Sequence, residues 1–218
     1  MDAIIFDFDG TLVDTEPMHE SAIRAALRDH DVPVRPGMTI GLSDEDAIAG
    51  AFEEVGRSVP ADMLADLCAL KTRIYGELAL DRDITVYEGA VELFRAASQR
   101  YRVGICTAAM KAEVQEVLIG LGITDVMSAL VTADMVENKK PAPDGYLLAA
   151  EYLDVRPECA VAVEDSPRGV DAARAAGCTV VAVTHTTPAA ELSHAHIVVD
   201  RIADIDLDAV ARLVAAQS

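Results

Sequence analysis

The sequence has little of what usually marks a protein that binds polymers or membranes. It contains no tryptophan, only 4% aromatic residues, and 18 Lys and Arg against 37 Asp and Glu, for a formal net charge of −19. This charge disfavours nucleic acid and anionic membranes as partners, because both are bound through basic patches. Since aromatic side chains are scarce and the apolar fraction is 51%, aliphatic side chains and alanine must fill the core.

Cysteine and long apolar runs are scarce as well. The four cysteines form no C-x-x-C pair and have no histidine at zinc-ligand spacing, so we expect buried, reduced thiols in a cytoplasmic protein. The chain does not begin with the basic residues and apolar run of a signal peptide. No stretch approaches the ~20 apolar residues that a membrane-spanning helix needs.

Short, continuous apolar runs alternate with helical patterns over much of the chain, which indicates a parallel sheet covered by helices on both faces. The predicted strands lie at 3–8, 102–107, 129–132, 160–164, 179–183 and 197–199. The predicted helices that accompany them lie at 90–99, 112–121, 144–153, 170–176 and 207–216.

The first two predicted strands lie unusually far apart. A simple crossover between parallel strands takes about 30 residues, whereas Asp7 and Thr107 are 100 positions apart. The intervening 16–82 carries three helical patterns and no convincing strand. We therefore expect a small helical cap at 16–82, inserted into an α/β core made of 1–15 and 83–218. The alternative is that these helices simply cover the sheet.

Two carboxylates follow the first apolar run. Asp7 and Asp9 are two positions apart, so in extended chain both side chains can face one small volume, and Gly10 then permits a tight turn. Two such anions repel each other unless a cation lies between them or one keeps its proton. Mg²⁺, which prefers oxygen ligands, suits the pair. The alternative is a strand that ends in surface acids.

The stretch at 7–16, Asp-Phe-Asp-Gly-Thr-Leu-Val-Asp-Thr-Glu, resembles the opening signature of the haloacid dehalogenase-like (HAD) superfamily. The resemblance implies a Rossmann-like parallel-sheet core with a cap, a nucleophilic Asp7 that accepts a phosphoryl group, and Asp9 as general acid and base. The family's dehalogenases and ion-pumping ATPases lack the second Asp, so Asp9 favours phosphate-ester hydrolysis or phosphomutase chemistry. The arrangement most resembles the β-phosphoglucomutase-like branch, whose members are often monomers, and phosphoglycolate phosphatases.

Two later stretches resemble the family's second and third motifs. Thr107 ends a predicted strand, and the resemblance implies that its hydroxyl and the amide of Ala108 hold a phosphate oxygen; Thr107 alone could equally satisfy a turn. Lys140 begins a Lys-Pro-Ala-Pro-Asp segment, in which the family's lysine neutralises the phosphate and the nucleophile. A loop lysine is otherwise usually solvated, as we expect of Lys139.

Glu164 and Asp165 follow a run of four apolar residues, and this stretch resembles the family's fourth motif. Adjacent acids after a buried strand are costly unless paired, and the resemblance implies that they bind Mg²⁺ together with Asp7 and Asp9. Asp165 is the stronger candidate, and Glu164 can act directly or through water. Ser166 is expected to cap the following turn. The alternative is a solvated acidic loop.

Three features of the predicted cap bear on substrate choice. His19 and Lys71 match positions that contact substrate or steer closure in the β-phosphoglucomutase-like branch, although a structural histidine and a helix-face lysine are the plain alternatives. The mutase has an Arg after a Gly-x-Ser turn, and the turn at 41–43 is followed here by Asp44. An acid there repels a second phosphate, which favours a phosphatase over a mutase. Lys111 is expected to be solvated.

The sequence therefore supports three hypotheses. The first is a Mg²⁺-dependent phosphatase that hydrolyses a small phosphorylated metabolite, a sugar phosphate or phosphoglycolate, through an aspartyl phosphate. The second is a phosphomutase that needs a bisphosphate activator. The third is a phosphate-binding regulatory protein without turnover, against which the intact set of acids and Lys140 argues.

Overall fold

A computed structural model describes residues 1–81 and 84–217. Its main sheet has six parallel strands in the order β5-β4-β1-β6-β7-β8. Their bounds are β1 Ala3–Phe6, β4 Arg102–Cys106, β5 Ala129–Val131, β6 Ala160–Glu164, β7 Thr179–Val183 and β8 Ile197–Val199. This confirms the predicted α/β class and the parallel sheet, although β1 ends two residues earlier than predicted.

The pairing of β1 with its two neighbouring strands determines which residues lie together at one edge of the sheet. Phe6, the last residue of β1, pairs with Ile105 on β4 and with Val163 on β6. The residues that follow these three strands therefore leave the sheet side by side at its carboxyl edge, where ligands collect in open α/β folds.

Five helices flank the sheet, and alternate residues of β1 contact different layers. Ile4 and Phe6 belong to one apolar cluster, in which Phe6 packs on Phe94 at 5.0 Å between ring centroids. Ala3 and Ile5 belong to a second cluster. The helices are α4 Ala90–Ser98, α5 Lys111–Leu121, α6 Asp144–Tyr152, α7 Pro167–Ala176 and α8 Leu207–Gln217. The layers explain why the strands are continuously apolar.

Three more helices, α1 Glu16–Ala26, α2 Asp44–Glu54 and α3 Ala61–Asp81, pack on one another. They have an apolar cluster of their own, which includes Ile23, Phe52 and Leu67. Residues 16–81 contain no strand, as predicted. The boundary expected at 82–83 lies outside the described residues. We call residues 16–81 the helical unit.

A second, very small sheet was not predicted from the sequence. β2 (Val13–Asp14) and β3 (Thr85–Val86) form an antiparallel ribbon in which Val13 pairs with Val86. Strands of two residues show no periodicity, and the partners are far apart in sequence, so no local signal reveals them. β2 precedes the helical unit in the sequence and β3 follows it, so the ribbon joins the segments on either side of that unit. Helix α7 also begins at Pro167, earlier than the predicted 170.

The cysteines agree with the expectation of free thiols. Cys106 and Cys178 are buried, and Cys68 and Cys159 are partly buried; all four are free. Burial raises the pKa of the Cys106 thiol to about 12, which keeps it protonated and unreactive. Among the described residues, no helix is both long and apolar enough to cross a membrane.

Candidate active site

The turn after β1 brings the first acidic motif against the last one. Gly10 has a positive φ of 76°, which favours glycine. A Cβ atom on Gly10 would overlap the carboxylate of Asp165, so any larger residue would push the two segments apart. Thr11, the next residue, donates to Asp165 Oδ1 at 3.2 Å. Glycine is therefore required both for the turn and for the close approach.

Lys140 lies at the carboxyl edge of the sheet. Its Nζ donates to Asp7 Oδ1 at 2.6 Å, to Glu164 Oε1 at 2.6 Å and to the carbonyl oxygen of Cys106 at 3.1 Å. The prolines at 141 and 143 stiffen the turn that carries it. The buried ammonium thus holds together residues at the carboxyl ends of β1, β4 and β6.

Glu164 is completely buried and lies behind Lys140. Its Oε1 also accepts from the Tyr146 hydroxyl at 2.7 Å, and its Oε2 accepts from the Asp165 amide at 3.1 Å and from Ser166 Oγ at 3.2 Å. Tyr146 was not predicted as a site residue, because it lies in the apolar pattern of α6. This many donors offset the cost of burying the carboxylate, and they fix the position of Lys140.

Asp7, Glu164 and Asp165 each offer a carboxylate oxygen within 4.8 Å of the others, an arrangement that could hold a metal ion. Burial, reinforced by neighbouring acids, raises the pKa of Asp7 well above its usual value despite the opposing charge of Lys140. Burial and Glu164 raise the pKa of Asp165 to about 8. Three charged carboxylates would exceed the single positive charge of Lys140, and a hard divalent cation such as Mg²⁺ fits this donor set.

The Asp9 side chain is not part of that three-residue group. Its Oδ2 accepts from Thr107 Oγ1 at 3.0 Å, and its Oδ1 accepts from Thr15 Oγ1 at 2.5 Å and lies 3.2 Å from His19 Nε2. Burial alone would raise the pKa of Asp9, but the hydrogen bonds from His19, Thr15 and Thr107 lower it to about 2. Thr107, expected to hold phosphate, here orients Asp9.

A second buried ammonium, that of Lys71, lies behind His19. It is within 2.7 Å of Glu113 Oε1, 2.8 Å of Asp44 Oδ1 and 2.8 Å of His19 Nδ1. Because the ammonium can only donate, Nδ1 of His19 must accept, which leaves the ring proton on Nε2, facing Asp9. Glu113, which was not predicted as a site residue, lies at the start of α5 and links Lys71 to the sheet side.

A cavity of about 40 Å³ lies between the carboxyl edge of the sheet and the helical unit. The predicted residues that line it are Asp7, Asp9, His19, Ala108, Lys140 and Asp165. It is also lined by Glu16, Thr39, Gly41, Leu42, Asp44, Ala47, Ala109 and Ser166. Among the described residues, the lining does not include Thr107, Lys71 or Glu164, which support it from behind.

Several smaller expectations have clear outcomes. Ser166 caps α7, as predicted, by accepting from the Gly169 amide at 3.1 Å. Lys111 is exposed, as expected. Lys139, expected to be solvated, instead pairs with Glu45 of α2 at 2.7 Å.

The comparisons with known proteins identify the family. A family model described as haloacid dehalogenase-like hydrolase matches residues 1–177. The chain belongs to the haloacid dehalogenase-like hydrolases. This hydrolase is 30% identical over 202 residues to validoxylamine A 7'-phosphate phosphatase of Streptomyces hygroscopicus subsp. limoneus, covering 92% of this chain and 94% of that protein. It is 33% identical over 183 residues to fructose-1-phosphate phosphatase YqaB of Escherichia coli (strain K12), covering 83% and 95%.

The solved structures agree on the fold of the hydrolase. A β-phosphoglucomutase from Clostridium difficile superposes with a TM-score of 0.89 over 100% of this chain and 98% of that chain, at 23% identity. These comparisons confirm the resemblance on which the family prediction depends. With several relatives that are phosphatases by name, the hydrolase is a phosphoric monoester hydrolase.

Proposed function

We propose that the protein is a Mg²⁺-dependent phosphatase that hydrolyses a small phosphorylated metabolite through a phosphoenzyme on Asp7. One observation supports this most strongly: Asp7 lines the cavity with one oxygen held 2.6 Å from the Lys140 ammonium. A carboxylate oriented in this way, beside a cation that can also receive phosphoryl oxygens, suits in-line attack on phosphorus.

In the first half-reaction, a carboxylate oxygen of Asp7 forms a bond to phosphorus while the bond from phosphorus to the ester oxygen breaks. Asp9 gives a proton to the departing oxygen. Its pKa is about 2 without substrate, so Asp9 acquires that proton only when a phosphoryl group beside it raises the pKa by like charge. His19 and Thr15 hold the carboxylate in place.

In the second half-reaction, the Asp9 carboxylate takes a proton from water, and the water oxygen attacks phosphorus. The acyl phosphate bond to Asp7 breaks, which releases phosphate and restores the carboxylate. Because the same residue acts as acid and then as base, its position must not change between the steps. The three side chains that hydrogen-bond Asp9 serve that purpose.

Charge neutralisation accounts for much of the expected rate enhancement. Lys140 supplies one positive charge from the chain itself. Asp7 and Asp165 would hold the metal ion, with Glu164 as a further donor. When bound, Mg²⁺ would draw negative charge from the phosphoryl oxygens. The raised pKa values of Asp7 and Asp165 support this assignment, since a divalent cation would favour their charged forms.

We further propose that 16–82 is a cap that moves relative to the core made of 1–15 and 83–218. A cavity of about 40 Å³ has room for only about one or two water molecules, so a phosphorylated metabolite enters only if the helical unit opens. Closure would then exclude water from the first half-reaction. The β2–β3 ribbon joins the segments on either side of the helical unit, which makes it the natural hinge. The net charge of −19 suits a monomeric cytoplasmic enzyme with no nucleic-acid or membrane partner.

A mutase would need a site for a second phosphate. The helical unit instead contributes the carboxylates of Glu16 and Asp44 to the cavity, and like charge disfavours a second anion there. Relatives that are phosphatases by name also support hydrolysis over transfer.

The decisive test of hydrolysis is phosphate release from an aryl phosphate. We expect turnover in Mg²⁺, none in excess chelator, and loss of activity by about 10³-fold or more for Asp7→Asn. Asp2→Asn is the matched control, because Asp2 is an exposed acid at the other end of β1, and it should retain full activity. Near wild-type turnover by Asp7→Asn would refute the assignment of the nucleophile.

A further inference from the structure

Asp44 lies where the helical unit faces the catalytic edge of the sheet. It is the first residue of α2 and follows the turn at 41–43, in which Gly41 has a positive φ of 66°. A Cβ atom on Gly41 would lie 2.6 Å from Cβ of Ser166. The turn therefore packs directly on the loop that carries Asp165, and it brings the Asp44 carboxylate into the cavity lining.

The two oxygens of Asp44 have different surroundings. Oδ1 is 2.8 Å from the Lys71 ammonium. Oδ2 is buried and has no hydrogen-bond partner among the described residues. A buried carboxylate oxygen without a donor is costly, and a substrate that supplies a donor would remove that cost. Nothing in the proposed phosphoryl-transfer steps uses this oxygen.

The charges that line the cavity are divided between its two sides. Lys140 is the one lysine in the lining among the described residues, and it lies on the sheet side beside Asp7. The helical unit contributes Glu16 and Asp44 and no Lys or Arg. Lys71, which lies outside the lining, compensates only in part, because its single charge is shared between Asp44 at 2.8 Å and Glu113 at 2.7 Å. A phosphoryl group is thus attracted to one side, and the rest of the substrate meets carboxylates.

We propose that Asp44 determines substrate class by accepting a hydrogen bond from a hydroxyl group of the substrate through Oδ2. The inference rests on the phosphatase activity proposed above. The preferred substrate is then a sugar or polyol monophosphate whose non-phosphorylated part is neutral and rich in hydroxyl groups. Substrates with a second anionic group, such as phosphoglycolate or a sugar bisphosphate, are excluded by like-charge repulsion. This chemistry separates two substrate types that the motifs alone leave equivalent.

The test compares kcat/KM in Mg²⁺ for four substrates: an aryl phosphate, a linear polyol phosphate, phosphoglycolate and a sugar bisphosphate. The aryl phosphate reports the phosphoryl-transfer machinery without hydroxyl groups. For the wild-type protein we expect the polyol phosphate to exceed phosphoglycolate and the bisphosphate by about tenfold or more. This measurement needs no variant, so it stands whether or not a substituted protein folds.

Asp44→Asn provides the second arm. It keeps the shape of the side chain and an oxygen for Lys71 but removes the negative charge. We expect kcat/KM to fall for the polyol phosphate and to rise for phosphoglycolate, so that the ratio of the two falls about 10- to 100-fold. Glu53→Gln is the matched control, because Glu53 is an exposed acid on the same helix, and the ratio should not change.

The outcomes distinguish the two proposals. Turnover of the aryl phosphate with a preference for phosphoglycolate or the bisphosphate refutes the role of Asp44 but leaves the phosphatase intact. A loss in Asp44→Asn that is equal for all four substrates also refutes it, because a merely structural residue would behave in that way. No phosphate release from any substrate in Mg²⁺ would overturn the phosphatase itself.

Discussion

Two buried lysines in this protein have nearly the same surroundings but different positions. Lys140 contacts Asp7 and Glu164, and a backbone carbonyl completes its set. Lys71 contacts the carboxylates of Glu113 and Asp44, and the ring of His19 is its third partner. Lys140 lines the cavity, whereas Lys71 is fully buried behind it.

The origin of the partners explains the difference. All the partners of Lys140 lie at the carboxyl ends of strands of one sheet, so their separation is set by strand pairing and changes little. The partners of Lys71 come from α1, α2 and α5, which belong to the helical unit and to the sheet side. A cluster within one rigid element suits direct chemistry, and a cluster between two elements suits control of their relative position. We therefore expect substitutions of the two lysines to have different effects on catalysis.

The largest effect is expected at Lys140. Lys140→Met removes the charge that neutralises Asp7 and the phosphoryl group, so kcat/KM for an aryl phosphate should fall by about 10³-fold or more. Lys139→Met is the neighbouring control and should change kcat/KM by less than about threefold. Retention of a tenth of wild-type activity by Lys140→Met would remove the basis for treating this lysine as part of the chemistry.

A smaller and more selective effect is expected at Lys71. Lys71→Met leaves His19 without the donor that fixes its ring, so Asp9 is less well positioned as an acid. An alkyl phosphate, whose leaving group needs a proton, should lose about 10- to 100-fold in kcat, and an aryl phosphate should lose clearly less. Lys111→Met, at an exposed lysine of α5, is the control. Equal losses for both substrates would contradict the link through His19.

The acidic cluster around Lys140 should make stability depend on pH and metal. The pKa of Asp165 is about 8 in the folded, metal-free protein, against 3.8 ordinarily, so the folded state binds the proton more tightly than the unfolded state. The contribution of Asp165 to stability is then full below about pH 4 and is lost as pH rises toward 8. Mg²⁺ should reverse that loss, so its stabilising shift in Tm should grow with pH.

Asp165→Asn serves as the comparison in these melts, since it removes the carboxyl that titrates. Its metal-free Tm should depend less on pH, and Mg²⁺ should shift it less. A wild-type Mg²⁺ shift in Tm that is the same at about pH 5 and about pH 9 would show that the cluster does not bind the ion in competition with protons.

The smallest effect is expected at an exposed contact between the same two parts of the molecule. Glu45 pairs with Lys139 at 2.7 Å, with the Glu45 side chain 57% exposed. Exposed pairs contribute about 0–1 kcal/mol, so Glu45→Gln should change kcat/KM by less than about twofold. Glu77→Gln breaks an exposed pair with Arg73 inside α3 and is the control. A tenfold effect of Glu45→Gln would indicate that the exposed pair of Glu45 and Lys139, rather than Lys71, controls closure.

The two lysine clusters also show what the sequence can and cannot predict. Lys140 was assigned to Asp7 because its Lys-Pro-Ala-Pro-Asp segment resembles the family's third motif, in which the lysine neutralises the nucleophile. The sheet and the cap at Ser166 were also predicted, since each depends on local pattern.

The partners of a buried charge are harder to predict, because they are chosen by tertiary packing. Tyr146 and Glu113 are an aromatic and an acid in ordinary helical patterns, and no spacing connects them to Lys140 or Lys71. Thr107 was expected to contact phosphate. In the structure its hydroxyl donates to Asp9, which is 98 positions away in the sequence but follows the neighbouring strand β1. Even so, the residue types in each motif were sufficient to predict the family.

The most direct test of the central claim is to trap the phosphoenzyme. Asp9→Asn should react with an aryl phosphate in Mg²⁺, because that leaving group needs little protonation, but it should release phosphate slowly. After an acid quench, mass spectrometry of the N-terminal peptide should find one phosphoryl group on Asp7, and Asp7→Asn should carry none. A phosphoryl group on another residue, or turnover without any phosphoenzyme, would contradict the account.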